Sequence, residues 1–142
     1  NTLDGGLGND TLIGGLGNDT YILNRTSGVD TLIENDVSAG NTDALQFAAD
    51  VRADQIWFRQ VSADLEVSII GASNKSLIKD WYTGSQAHVE QFISGDGKVL
   101  LDSEVQILVS AMASLRSTPP ATINLTASQQ TLLNPVLAAN WS

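Results

Sequence analysis

Cysteine is absent from this chain of 142 residues, which removes disulfide bridges, thiolate metal sites and thiol nucleophiles together. Histidine occurs once, at His88, with no second histidine or cysteine to share an ion, so a structural role is expected of it. Basic residues are scarce, 7 against 16 acidic, for a net charge of −9. That deficit argues against nucleic acid or an anionic membrane surface as a partner. No apolar run reaches the roughly 18 residues that a membrane span requires. The excess of carboxylates fits a protein whose charge is neutralised by a bound cation.

What the chain has instead is a tandem nonamer. Gly5-Gly6-Leu7-Gly8-Asn9-Asp10-Thr11-Leu12-Ile13 is followed at once by Gly14-Gly15-Leu16-Gly17-Asn18-Asp19-Thr20-Tyr21-Ile22, and only Leu12 and Tyr21 differ. Glycines let carbonyl oxygens turn inward through backbone conformations closed to other residues. The aspartate adds a carboxylate, and the last three positions make a short strand with one aliphatic or aromatic residue facing inward. Six to eight hard oxygen ligands are what calcium requires, and such turns can supply them. A dinucleotide-binding reading fails, because neither copy completes G-x-G-x-x-G and no helical pattern follows. The pattern G-G-x-G-x-D-x-U-x resembles the calcium-binding parallel β-roll of RTX proteins.

In a β-roll, successive turns alternate between two edges, so each stacks on the turn about 18 residues away. Asp10 therefore looks to Gly28-Val29-Asp30-Thr31-Leu32-Ile33 rather than to Asp19. Asp19 finds Glu34-Asn35-Asp36 and, later, Asp43-Ala44-Leu45, so looser turns are expected to close the roll near Phe47. The resemblance implies that each ion takes carbonyls of the second and fourth residues and the aspartate of one turn. From the next turn on that edge come carbonyls of the first and third residues and its aspartate. Carried over, one site would use Gly6, Gly8 and Asp10 with Arg25, Ser27 and Asp30. A second would use Gly14, Leu16 and Asp19 against the truncated turn at Asn1. A third would use Gly15, Gly17 and Asp19 against either Asp36 or Asp43. Arg25 and Ser27 stand where the family has glycine, and the register breaks after Ile33.

Beyond the repeats, Asp50 would cap a short helical turn over 50–54. Ile56–Val61 and Leu65–Ile70, joined at Ser62-Ala63-Asp64, read as a hairpin, and Lys75–Tyr82 as a third strand. Val89–Ile93 and Lys98–Leu101 form another hairpin around Gly95-Asp96-Gly97. Ile56-Trp57-Phe58-Arg59, Asp64-Leu65-x-Val67, Asp80-Trp81-Tyr82 and Val89-Glu90-x-Phe92 with Asp96-Gly97 resemble the haemolysin-type calcium-binding related domain. Trp57 and Trp81 are expected in the core, and an exposed Trp81-Tyr82 pair would be the place for a sugar to stack. Ser103 with Gln106 spells a capping box, and Val105, Leu108, Val109, Met112 and Leu115 at helical spacing predict a helix over 103–115. Pro119-Pro120 ends it, and residues 121–142 carry no charged side chain. A second helix over 128–139, bent or interrupted at Pro135, is expected there. This tail, with Ala138-Ala139-Asn140-Trp141, resembles the C-terminal ends of RTX proteins exported by type I secretion.

The expected fold class is mainly β: a parallel β-roll over 1–47, a small antiparallel β domain over 48–101, and C-terminal helices and tail over 102–142. Asn1-Thr2-Leu3-Asp4 matches the end of a nonamer, so the chain is expected to be the C-terminal piece of a longer bacterial protein, secreted or at the cell surface. Its expected partners are calcium ions, the upstream domains and, transiently through the tail, the type I secretion apparatus. Neither nucleic acid nor a membrane span is expected. The expected role is calcium-triggered folding that supports secretion and caps the roll, with an adhesion or carbohydrate-binding module as the alternative. Catalysis is not expected, since no nucleophile–base pairing or metal histidine cluster is spelled out. Any catalytic domain would lie upstream.

Overall fold

Turns rich in glycine leave only a few residues between them for extended backbone, and the strands of the repeats are correspondingly short. The computed structural model describes residues 1–24, 28–36, 40–72, 74–115 and 126–142. Its first five strands are β1 (Thr2–Leu3), β2 (Thr11–Ile13), β3 (Thr20–Leu23), β4 (Val29–Ile33) and β5 (Ala44–Phe47). They fall alternately into two sheets, β1-β3-β5 and β2-β4, all pairs parallel. Thr2 pairs with Thr20 and Thr20 with Ala44, while Thr11 pairs with Thr31. This is a parallel β-roll, with Tyr21, Leu23, Leu32, Leu45 and Phe47 buried between its layers.

The parallel ladders do not end at Phe47. A hairpin of β6 (Ile56–Val61) and β7 (Asp64–Ile69) extends the second sheet antiparallel, and β8 (Lys75–Ile78) lies between that hairpin and β4. β8 pairs parallel with β4, and β9 (Gln91–Ile93) pairs parallel with β5. β10 (Val99–Leu101) closes the first sheet antiparallel to β9. The mixed sheets thus join a β-roll to antiparallel strands, with the roll's next coil drawn from inside the middle segment. The sequence hides this coil because the hairpin is inserted before it: a step of 18 residues at Asn1 becomes 47 between Asp43 and Glu90.

Smaller corrections have local causes. The strand expected over 75–82 stops at Ile78, because Asp80 takes a φ of 60° and Trp81–Thr83 turns into a 3-10 helix. The turn expected to begin at Asp50 is a 3-10 turn at Ala53–Gln55. Helix α1 (Val105–Leu115) starts after a 3-10 turn at Asp102–Glu104 rather than on a Ser103 cap. The Pro119-Pro120 linker lies outside the described residues. Helix α2 (Ala127–Asn140) runs through Pro135 and begins on a capping box in which Gln129 N–H donates to the Thr126 hydroxyl at 3.2 Å. No helix among the described residues is long and apolar enough to cross a membrane.

The core is shared by sheets and helices. Trp57, Phe58, Phe92 and Leu100 are buried with Leu108 and Met112 of α1, and Leu133 and Leu137 of α2 join the same cluster. Trp141 is only 3% exposed, its ring 6.3 Å from that of Phe58. Ser142 then exchanges two backbone hydrogen bonds with Val99, at 2.9 and 3.0 Å, which covers the β10 edge. The tail is docked. Trp141→Ala should therefore cost about 3 kcal/mol or more in urea unfolding with calcium present, as for other large aromatics removed from cores. A cost below about 1 kcal/mol would mean that the tail does not pack in solution.

Candidate metal centre

Register places the acidic residues in two columns, one on each edge of the roll. On one edge Asn1, Asp19, Asp43 and Glu90 each precede a strand in line. On the other edge Asp10 lies opposite Asp30, and the next position in the column is Ser76. Each step is tied in the same way. Asp10 N–H donates to Asp30 Oδ1 at 3.0 Å, Asp19 N–H to Asp43 Oδ1 at 2.7 Å, and Asp43 N–H to Glu90 Oε2 at 2.7 Å. The amino group of Asn1 donates to Asp19 Oδ1 at 2.7 Å. Neighbouring asparagines return the bond: Asn9 Oδ1 accepts from Val29 N–H at 3.0 Å, and Asn18 Oδ1 from Thr42 N–H at 2.8 Å.

In Asp19 and Asp30 one carboxylate oxygen holds the adjacent turn and the other is left over, whereas Asp43 Oδ2 accepts from the Asn41 amide at 3.4 Å. Asp10 Oδ2, Asp19 Oδ2 and Asp30 Oδ2 are buried without a hydrogen-bond partner. Buried polar atoms are normally satisfied, so repeated orphans of one kind call for an explanation. Both oxygens of Glu34 are orphaned too. Asp19, Glu34 and Asp43 are each at least 97% buried, and each offers an oxygen within 4.8 Å of the other two. Ionised, each pair would repel by about 3 kcal/mol at an effective dielectric of about 20.

The environment registers that strain. Burial, and then Asp43, push the Glu34 carboxyl up to about 8. Burial also raises Glu90 and Asp30, with Asp10 adding charge repulsion at Asp30 against the hydrogen bond from its own amide. Burial and the Glu34 charge push the Tyr21 hydroxyl far up, so it stays protonated.

The orphans are hard, anionic oxygens, with no sulfur or nitrogen donor beside them, a donor set that suits calcium and not a softer ion. Residues 1–25 match the family model described as the RTX calcium-binding nonapeptide repeat (4 copies). The N-terminal segment is an RTX repeat array. RTX repeats bind Ca2+, and proteins that carry them are typically exported from bacteria.

The RTX geometry brings together most of the expected ligands. Asp10 meets Asp30 across one edge, and Asp19 meets Asp43 across the other. Asp36, the other candidate partner of Asp19, accepts instead from Gly17 N–H at 2.8 Å. Gly6, Gly8, Gly15 and Gly17 take φ values of 75–107°, the left-handed turns expected of the repeat. Gly14 packs against the Asp19 carboxylate, 2.7 Å from where its Cβ would be, and Leu16 is exposed at the turn tip. Arg25 and Ser27 lie outside the described residues. Glu34 and Glu90 were missed as site residues, since neither fits the nonamer; Asn9 and Asn18 could have been found, being identical in both copies.

Three other candidates resolve as structure. His88 reaches Asp102 Oδ2 at 3.1 Å and the Trp81 carbonyl at 2.9 Å, and its ring stacks on Trp81 at 3.8 Å. Trp81 is 4% exposed, so it offers no open face for a sugar. Asp96 accepts from Ser94 and from Ala53 N–H; burial opposes its ionisation, but these bonds outweigh it and hold the carboxyl below its usual range. The Gly95-Asp96-Gly97 turn is a hairpin turn.

Two predictions follow from the geometry. Gly28 (φ 93°) lies so close that a Cβ would overlap the Gly8 carbonyl oxygen, whereas Gly40 (φ 86°) has open space. Gly40→Ala should show only the backbone strain of about 1–3 kcal/mol, and Gly28→Ala clearly more, in thermal unfolding with saturating calcium. Equal losses would mean that the turns stack less closely than described. The second concerns pH without calcium. A raised folded pKa means that the folded chain takes up protons the unfolded chain does not hold. Stability from Glu34 is complete below its ordinary 4.5 and lost as pH rises through about 8. Glu90 and Asp30 act in the same direction. The calcium-free chain should show more β signal in circular dichroism at pH 5 than at pH 8, and the reverse order would contradict these burials.

Proposed function

We propose that this chain is a calcium-triggered folding segment of an exported protein, kept unfolded in the producing cell and folded outside. The observation that carries the reading is the set of orphaned carboxylate oxygens between strands of two to five residues. Strands this short do not hold a sheet alone, and their charges repel until a cation joins them. Binding free energy then becomes folding free energy.

Magnitudes decide where the switch operates. Extracellular calcium modules have Kd values on the order of 10⁻⁴ to 10⁻³ M. At millimolar calcium each such site adds about 0.4–1.4 kcal/mol, and at sub-micromolar calcium essentially nothing. One site is a nudge, and a column of them is a switch. β1 and β2 are the outer strands of their sheets, which suits further repeat turns stacking there from upstream domains.

The C-terminal tail fits the same sequence of events. Uncharged and aliphatic, it would be read by a type I secretion apparatus while extended, and would then dock through Trp141 and Ser142 as the core forms. We assign the segment binding and folding rather than catalysis, a reading supported by the full engagement of its one histidine. The adhesin alternative loses Trp81 as its sugar contact, because His88 covers that ring.

Circular dichroism in chelator and then in several millimolar calcium tests the proposal. The β signal should rise cooperatively with calcium. A spectrum unchanged across the titration would sink it.

A further inference from the structure

Two buried glutamates in this chain have opposite surroundings. Glu66, 2% exposed, is held by Arg59 at 2.9 Å and Lys75 at 3.5 Å across the second sheet. Glu34, 3% exposed, has neither oxygen in a well-formed hydrogen bond, and what faces it is the Tyr21 hydroxyl and two more carboxylates, Asp19 and Asp43. A carboxylate buried among other carboxylates without a cation is among the costliest groups a fold can hold. Its position adds a second clue. Ile13 pairs with Ile33, so Glu34 stands where the regular nonamer has Gly14. A glycine there leaves room for the aspartate of its own turn. In the last turn the position carries a side chain long enough to bring its own oxygens into the same space.

Resting on the calcium reading above, we propose that Glu34 is a side-chain ligand of the ion held between Asp19 and Asp43. This makes the irregular last turn the tightest calcium site of the chain and the first to fill. Among the described residues it has three buried carboxylates within 4.8 Å of one another, a grouping that Asp10 and Asp30, with Asp4 nearby on the opposite edge, do not form. Calcium affinity rises with ligand charge and with the rigidity of the site, and this site has more of both. It also adjoins the apolar core through Tyr21, which is fully buried. Filling it would fix β3 against β5 next to that core, and give the outer, more exposed turns a surface to stack on.

Terbium(III) bound to the full chain tests the assignment, since its emission is excited through a nearby tyrosine and displaced by calcium. The part of the signal lost in Tyr21→Phe reports this site alone. Glu34→Gln should weaken calcium there by about tenfold or more, the scale on which ligand charge tunes such sites. Binding elsewhere should be unchanged. In chelator the same variant should show more β signal than the parent, because the cost of burying that acid has been removed. An unchanged calcium affinity at the Tyr21 site in Glu34→Gln would overturn the proposal while leaving the calcium switch intact. Should that variant stay unfolded in low-millimolar calcium, folding regained at higher calcium supports the ligand role, and folding never regained overturns it. A parent chain that binds no terbium beside Tyr21 would overturn both this proposal and the calcium switch at this edge.

Discussion

Carboxylates stacked one turn above the next, several of them with a buried oxygen left unmatched, are the constraint that the N-terminal half has to satisfy. Asp19 and Asp30 show it in its simplest form: Oδ1 fastens the neighbouring turn, and Oδ2 is buried with no donor in reach. The hydrogen bond sets the register of the roll, so the orphaned oxygens are lined up by the same contact that orders the strands. Structure and ligand set cannot be separated here. A cation that satisfied the second oxygen would strengthen the frame that the first one builds, so its binding free energy would favour folding.

The other half of the molecule is held by different means. From Val51 to Leu137 the core contains Trp57, Phe58, Trp81, Phe92, Leu108 and Met112, a packing that depends on apolar area rather than on an ion. The two regimes meet where β8 and β9 continue the sheets of the roll. Those strands give the repeats a rigid end to stack on, and Glu90 extends the acidic column into the core-held part. The turns that carry the carboxylates thereby stack on strands backed by an apolar core.

Helix α2 and the last two residues add a seal. Trp141 fills a place beside Phe58, and Ser142 pairs with Val99 at what would otherwise be an open sheet edge. Exposed edges invite pairing with other chains, and a docked tail removes that hazard. A tail that is free during export and docked afterwards would leave the edge open only while the chain is unfolded.

The repeats were legible in the sequence because their information is local. Each glycine and aspartate acts within one nine-residue turn, so the nonamer and its resemblance to RTX repeats pointed to the β-roll, the calcium chemistry and the pairing of Asp10 with Asp30 rather than with Asp19. The hairpins at 56–69 and 91–101 and the helix near 103–115 were legible for the same reason. What the sequence could not decide was which strands complete the roll. That depends on β6 and β7 folding out of the way so that Lys75 and Gln91 reach β4 and β5. Glu34 belongs to the same class. Nothing in Ile33-Glu34-Asn35 distinguishes a solvated acid from a buried one, and only the closure of two sheets buries its oxygens beside Asp19 and Asp43. Local spacing determined the ion and its turns; long-range packing decided how many carboxylates face it.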